Sequence, residues 1–149
     1  MHIIINGVYR KNKKILKSAT EFYADKLISK RMQKNISVLL EHDNDLVKDN
    51  MGGFCEWIEE NIRPRNFLIS LNCKQPMDEL LISLAHEMVH VKQFVSEELK
   101  HRIRNRTLLW NNVVIDPDQY LYADLPWEVE AYHKEEILYE QYRRQYQSL

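Results

Sequence analysis

The stretch Asp78-Glu79-Leu80-Leu81-Ile82-Ser83-Leu84-Ala85-His86-Glu87-Met88-Val89-His90-Val91-Lys92-Gln93-Phe94-Val95 decides how this chain is read. Leu81, Leu84, Ala85, Met88, Val91 and Val95 recur at helical spacing and form a broad apolar face, while Ile82 and Val89 lie on the other side. The spacing predicts a helix from Asp78 to about Glu98, apolar nearly all round and therefore buried between layers. Inside it stands His86-Glu87-Met88-Val89-His90, the HExxH pattern. Residues four apart on a helix lie about 40° apart, so His86 and His90 can hold one ion between them. Glu87 projects toward the same cleft from the side, where it can meet a metal-bound water. Buried imidazoles and carboxylates are costly unless paired or bound to metal. A chance HExxH arises in roughly two of a hundred sequences of this composition, so two unrelated core histidines are the weaker reading.

Working outward, His2 to Asn6 reads as a short strand ended by the turn signal Asn6-Gly7. Ser18 with Glu21 fits a capping box, and Ala19, Phe22, Tyr23, Leu27 and Ile28 then predict a helix from about Ser18 to Met32. Ile36 to Leu40 is a strand candidate, Asp43 to Gly53 a polar loop, and Phe54 to Ile58 and Phe67 to Leu71 two further strands separated by Arg63-Pro64. Thr107 to Ile115 suggests a hairpin turning at Asn111-Asn112. Pro126, a good first-turn residue, opens a closing helix to about Tyr146. The expected fold is an α+β domain spanning residues 1–149: a short mixed or antiparallel sheet packed on a central HExxH helix, with a C-terminal helix alongside.

Composition narrows the class. At 149 residues, 44% hydrophobic and 29% charged, one ordinary globular domain is expected. A net charge of -1 and a pI near 6.6 argue against a general nucleic-acid or anionic-membrane binder. Only three glycines are present, too few for glycine-rich phosphate loops. No apolar run reaches the roughly 20 residues that cross a bilayer, and the apolar stretch Ile3 to Ile5 is too short to be expected to act as a signal peptide. Cys55 and Cys73 fit no common zinc or redox motif and read as small buried hydrophobes in a reducing, cytoplasmic setting.

A catalytic zinc has three protein ligands and one open position. The metzincin extension is excluded, because Gln93 and Ser96 stand where its glycine and third histidine belong. Two carboxylates open the closing helix in Leu125-Pro126-Trp127-Glu128-Val129-Glu130-Ala131-Tyr132. Here the chain resembles the gluzincin metallopeptidases, and more narrowly the small intracellular, often phage- or mobile-element-associated members of the ImmA/IrrE group. Those proteins carry HExxH on one helix and an ExxA-type glutamate on a later one. The resemblance implies zinc, one per chain, held by His86, His90 and Glu128, with Glu87 as the catalytic base. Its ligand motifs cover only about a dozen residues. Many gluzincins carry Asp or Asn after that alanine to support a ligand histidine; this chain has Tyr132, which can do so or simply pack. Glu128, Tyr132 and Glu135 share one helical stripe, whereas Glu130 projects about 160° from Glu128, so only one of the two can face a metal. A SprT-like reading would take His101 as third ligand, although Arg102-Ile103-Arg104 lack the glycine and tryptophan usual there. The basic run Lys100 to Arg106 reads as a solvated loop.

The implied function is hydrolysis of peptide bonds in a peptide or protein substrate, by a zinc-bound water activated by Glu87. Tyr122, Tyr132 and His133 are candidate donors to the developing oxyanion. An exposed edge of Phe54 to Ile58 or of Phe67 to Leu71 would take an extended peptide. A catalytically silent zinc-binding regulatory domain is the competing expectation.

Overall fold

The computed structural model describes residues 1–58, 64–102 and 107–146. Arg63, residues 103–106 of the basic run and residues 147–149 of the tail lie outside the described residues. Four strands, β1 (His2–Asn6), β2 (Ser37–His42), β3 (Gly53–Trp57) and β4 (Asn66–Leu71), form one mixed sheet in the order β1-β2-β4-β3. The first three in that order are parallel, and β3 runs antiparallel to β4 at the edge. One face of this sheet is apolar. Val38, Leu40, Phe67, Ile69 and Leu71 point into the core, while the alternating residues Ile4, Phe54 and Glu56 point outward and are exposed. Burying each large side chain contributes about 1.5–3 kcal/mol.

Three long helices are α1 (Arg10–Leu27), α4 (Met77–Val95) and α5 (Pro126–Tyr146); two short ones, α2 (Lys30–Gln33) and α3 (Asn44–Lys48), complete five among the described residues. α4 carries the HExxH stretch and packs against β3, β4, α1 and α5. That all-round contact explains its all-round apolarity: Leu80, Leu81, Leu84, Ala85, Met88, Val89 and Val91 are all buried. Two hydroxyls tie the helices together. Tyr23 donates to the Leu81 carbonyl at 3.0 Å, and Tyr142 donates to Ser18 Oγ at 3.2 Å. After α4, strands β5 (Leu99–His101), β6 (Leu108–Trp110) and β7 (Val113–Ile115) form a small antiparallel sheet. The β6–β7 turn falls at Asn111 and Asn112, with φ of 48° and 67°, the left-handed pair a two-residue hairpin requires.

The structure corrects four expected boundaries. The first helix starts at Arg10, not Ser18, and stops at Leu27; Ser18 is mid-helix, and Ser29 instead caps α2 by accepting from Met32 N–H. The apolar stripe already begins at Ile15 and Leu16, so the helix extends toward its N-terminus without a side-chain cap. Within the expected polar loop, the Asp43 side chain caps α3, and Gly53 already belongs to β3. α4 ends at Val95, because Ser96 caps it and Glu97 turns with φ 62°. β5, a strand with no alternation of its own, follows where the sequence suggested only an exposed basic run. No helix among the described residues is long and apolar enough to cross a membrane.

Candidate metal centre

α4 presents His86 and His90 one turn apart, and the first turn of α5 presents Glu128 opposite them. Pro126 starts α5 with its fixed φ, and the Glu128 N–H bonds back to the Leu125 carbonyl. Ala131, fully buried one turn further on, allows close approach of the two helices. The result is a buried group in which one ligand atom each from His86, His90 and Glu128 lies within 4.8 Å of the others. His90 Nε2 is 2.9 Å and His86 Nε2 3.2 Å from Glu128 Oε1. Tyr122 also donates to this oxygen, at 2.9 Å. The second oxygen, Glu128 Oε2, is buried with no hydrogen-bond partner. A buried carboxylate oxygen without a donor is expensive, and a cation is the partner the surrounding imidazoles allow. This group could hold a metal ion, and its donor chemistry, two imidazoles and one carboxylate, fits one.

The far sides of both rings fix their tautomers. His86 Nδ1 meets Glu135 Oε2 at 2.7 Å, and His90 Nδ1 meets Gln93 Oε1 at 2.8 Å. Gln93 Nε2 donates to the Trp127 carbonyl and to Glu130 Oε1, both at 2.9 Å, which settles its amide orientation. Each Nδ1 therefore carries the proton, and each Nε2 is left to face the centre. Burial works to lower the His86 pKa, but its bonds to Glu128 and Glu135 and the nearby carboxylates lift it to about 10. His90 moves upward for the same reason. Burial works to raise Glu128, and the two histidine bonds outweigh it, bringing it down to about 2.

Glu87 stands beside this group, 5% exposed. Burial raises its pKa to about 7, with the two histidines pulling the other way. That range suits a proton acceptor at neutral pH. Gly53 of β3 covers it closely: a Cβ there would stand 3.1 Å from Glu87 Cγ and 3.2 Å from Oε1. An added side chain there would require Glu87 to shift by a few tenths of an ångström.

The other candidates fall elsewhere. Glu130 turns away from the histidines to Lys92 at 3.3 Å, Lys134 at 3.2 Å and Gln93. His101 sits on β5, exposed, with its ring against Trp57. Tyr132 packs its ring edge-on against His86, 4.7 Å between centroids, and does not take the Nδ1 proton; Glu135 does. His133 is exposed on α5. Of the strand candidates, β3 is the edge and β4 is interior to the sheet. Gln93 was missed as a functional residue, although its position three after His90 puts both on one helix face.

Searches against protein-family models, curated proteins and solved structures returned no significant match in any of the three.

Proposed function

We propose that this chain is a small zinc metallopeptidase of gluzincin type. The observation that carries the reading is the convergence of His86, His90 and Glu128, with Glu128 Oε2 unpartnered, beside a buried carboxylate tuned to neutral pH. His86, His90 and Glu128 would hold the ion. Bound zinc supplies Lewis acidity, making water a competent nucleophile near neutral pH and polarising the scissile carbonyl. Glu87 takes the proton of the attacking water and later delivers it to the leaving amine. The Tyr122 hydroxyl, already within the site, is the best-placed donor for a developing oxyanion. The edge of β3, which pairs with no further strand among the described residues and whose first residue adjoins Glu87, offers main-chain pairing to an extended peptide or protein substrate. Two unpaired cysteines fit a reducing compartment such as the cytoplasm.

The test compares the parent with Glu87→Gln by elemental analysis and by mass-spectrometric readout of a diverse peptide library. One zinc per chain is expected in both, with cleavage reduced by about 100-fold or more in the variant. Absence of zinc, or a variant that cuts as fast as the parent, would overturn the proposal.

A further inference from the structure

The first acidic residue of the chain is Glu21, and before it come Arg10, Lys11, Lys13, Lys14 and Lys17. All five lie at the start of α1 and are exposed, and none forms an ion pair among the described residues. At 3.6 residues per turn they cover about 160° of the helix surface. They lie opposite the stripe of Leu16, Ala19 and Tyr23 that the core takes.

This placement works against the helix. α1 has no acidic residue in its first turn and no side-chain cap, and cations near a helix N-terminus oppose its dipole. Like charges three and four residues apart also repel. A local rule broken without structural return marks a surface kept for binding. The net charge of -1 conceals it, because it sums over the whole chain and is blind to placement.

We propose that this face of α1 binds the phosphate backbone of duplex DNA, an interaction independent of the metal centre. Phosphate accepts both kinds of cation present here, the four lysines as compact point charges and the Arg10 guanidinium as a bidentate fork. The shape discriminates further. Arg10, Lys14 and Lys17 form a ridge, and Lys11 and Lys13 stand on opposite flanks of it. A flat anionic bilayer meets the ridge alone, and the apolar face of α1 is already committed to the core, so it cannot insert. A major groove about 12 Å wide admits a helix and brings phosphates to both flanks. Five phosphate contacts give a slope of affinity against salt of about −4.5 on logarithmic axes.

The experiment is fluorescence anisotropy of a labelled DNA duplex with the full chain, titrated across about 50–200 mM salt. The parent is expected to lose roughly 500-fold in affinity over that range. Changing Lys11, Lys13, Lys14 and Lys17 together to Gln, a good helix former, is expected to cost about 100-fold or more at the lowest salt. A control changing Lys26, Lys30, Lys34 and Lys48 to Gln removes the same charge elsewhere and is expected to bind like the parent. Circular dichroism checks both folds, and single Lys14→Gln, expected to lower the salt slope by about 1, serves if the quadruple variant does not fold. The proposal is overturned if the parent does not bind duplex at low salt, or if the control loses as much as the patch variant. It is equally overturned if phosphatidylserine vesicles bind and duplex does not.

Discussion

His90 Nδ1 lies 2.8 Å from Gln93 Oε1, so one imidazole of the centre is oriented by a neutral amide, while His86 is oriented by the Glu135 carboxylate. The amide does not act alone. Its NH2 group is held by the Trp127 carbonyl and by Glu130, and Glu130 is held by Lys92 and Lys134. Gln93 is completely buried, and its bonds to His90 and to the Trp127 carbonyl are made in a low-dielectric interior where misalignment is costly.

Gln93→Leu is therefore expected to weaken metal binding by about 10–100-fold, because His90 loses the partner that fixes its tautomer. It also leaves the Trp127 carbonyl without its donor, which costs about 1–3 kcal/mol of stability. Chelator competition measures the first effect and chemical denaturation the second. Unchanged metal affinity in a destabilised protein would reduce Gln93 to a packing residue.

Glu135 and Tyr132 make opposite predictions although both touch His86. Glu135→Ala removes the acceptor of the Nδ1 proton and is expected to lower metal affinity by about 10–100-fold. Tyr132→Phe keeps the ring that packs edge-on against His86 and is expected to leave affinity within about threefold. Competition with a fluorescent chelator reads both. A large loss in Tyr132→Phe with none in Glu135→Ala would reverse the assignment.

The parts of this site that were legible in the sequence are those set by local periodicity. α4 and α5 follow from apolar spacing and from Pro126 at a first helical position, and the about 160° between Glu128 and Glu130 separates a residue facing the histidines from one facing Lys92 and Lys134. What failed was set by contacts distant in sequence. Ser18 and Glu21 look like a capping box, yet Ser18 accepts a bond from Tyr142 in the middle of a helix. β5 has only three residues and exists through its pairing with β6. Gln93 carries neither charge nor motif, so only the bonds around it reveal its work. Tyr132 occupies the position after Ala131 where a histidine-supporting residue is expected, but Glu135, one turn later on the same stripe, reaches the ring first.

Chelator-stripped protein should show the charge state of this cluster directly. The raised pKa of His86, from 6.5 to about 10, gives stability that is complete below pH 6.5 and lost as pH rises through about 10. The lowered pKa of Glu128, from 4.5 to about 2, gives stability complete above pH 4.5 and lost as pH falls through about 2. At pH 7 His86 is then still protonated, and any metal ion bound by Nε2 has to displace that proton. Titrating zinc at pH 7 in two buffers of different ionisation enthalpy is expected to show release of at least about one proton per ion, since the His90 pKa is raised as well. Identical heats in the two buffers would contradict a protonated His86.

Gly53 gives the sharpest separation of chemistry from metal binding. Its φ is not in the left-handed region, so alanine brings no backbone strain. The conflict is with two side chains, Glu87 above all: the added Cβ would stand 3.1 Å from Glu87 Cγ and 3.3 Å from Leu71 Cδ2. Glu87 must yield by a few tenths of an ångström, and small displacements of a proton-transfer group are costly in rate. The atoms the added Cβ meets belong to Glu87 and Leu71, not to His86, His90 or Glu128. Gly53→Ala is thus expected to retain one zinc per chain while peptide hydrolysis falls by about 10–100-fold, chiefly in kcat. The loss should exceed that of Phe54→Ala, whose exposed side chain points to the opposite face of the sheet. Full activity in Gly53→Ala would mean that the proton acceptor is not the Glu87 carboxylate in the position seen here.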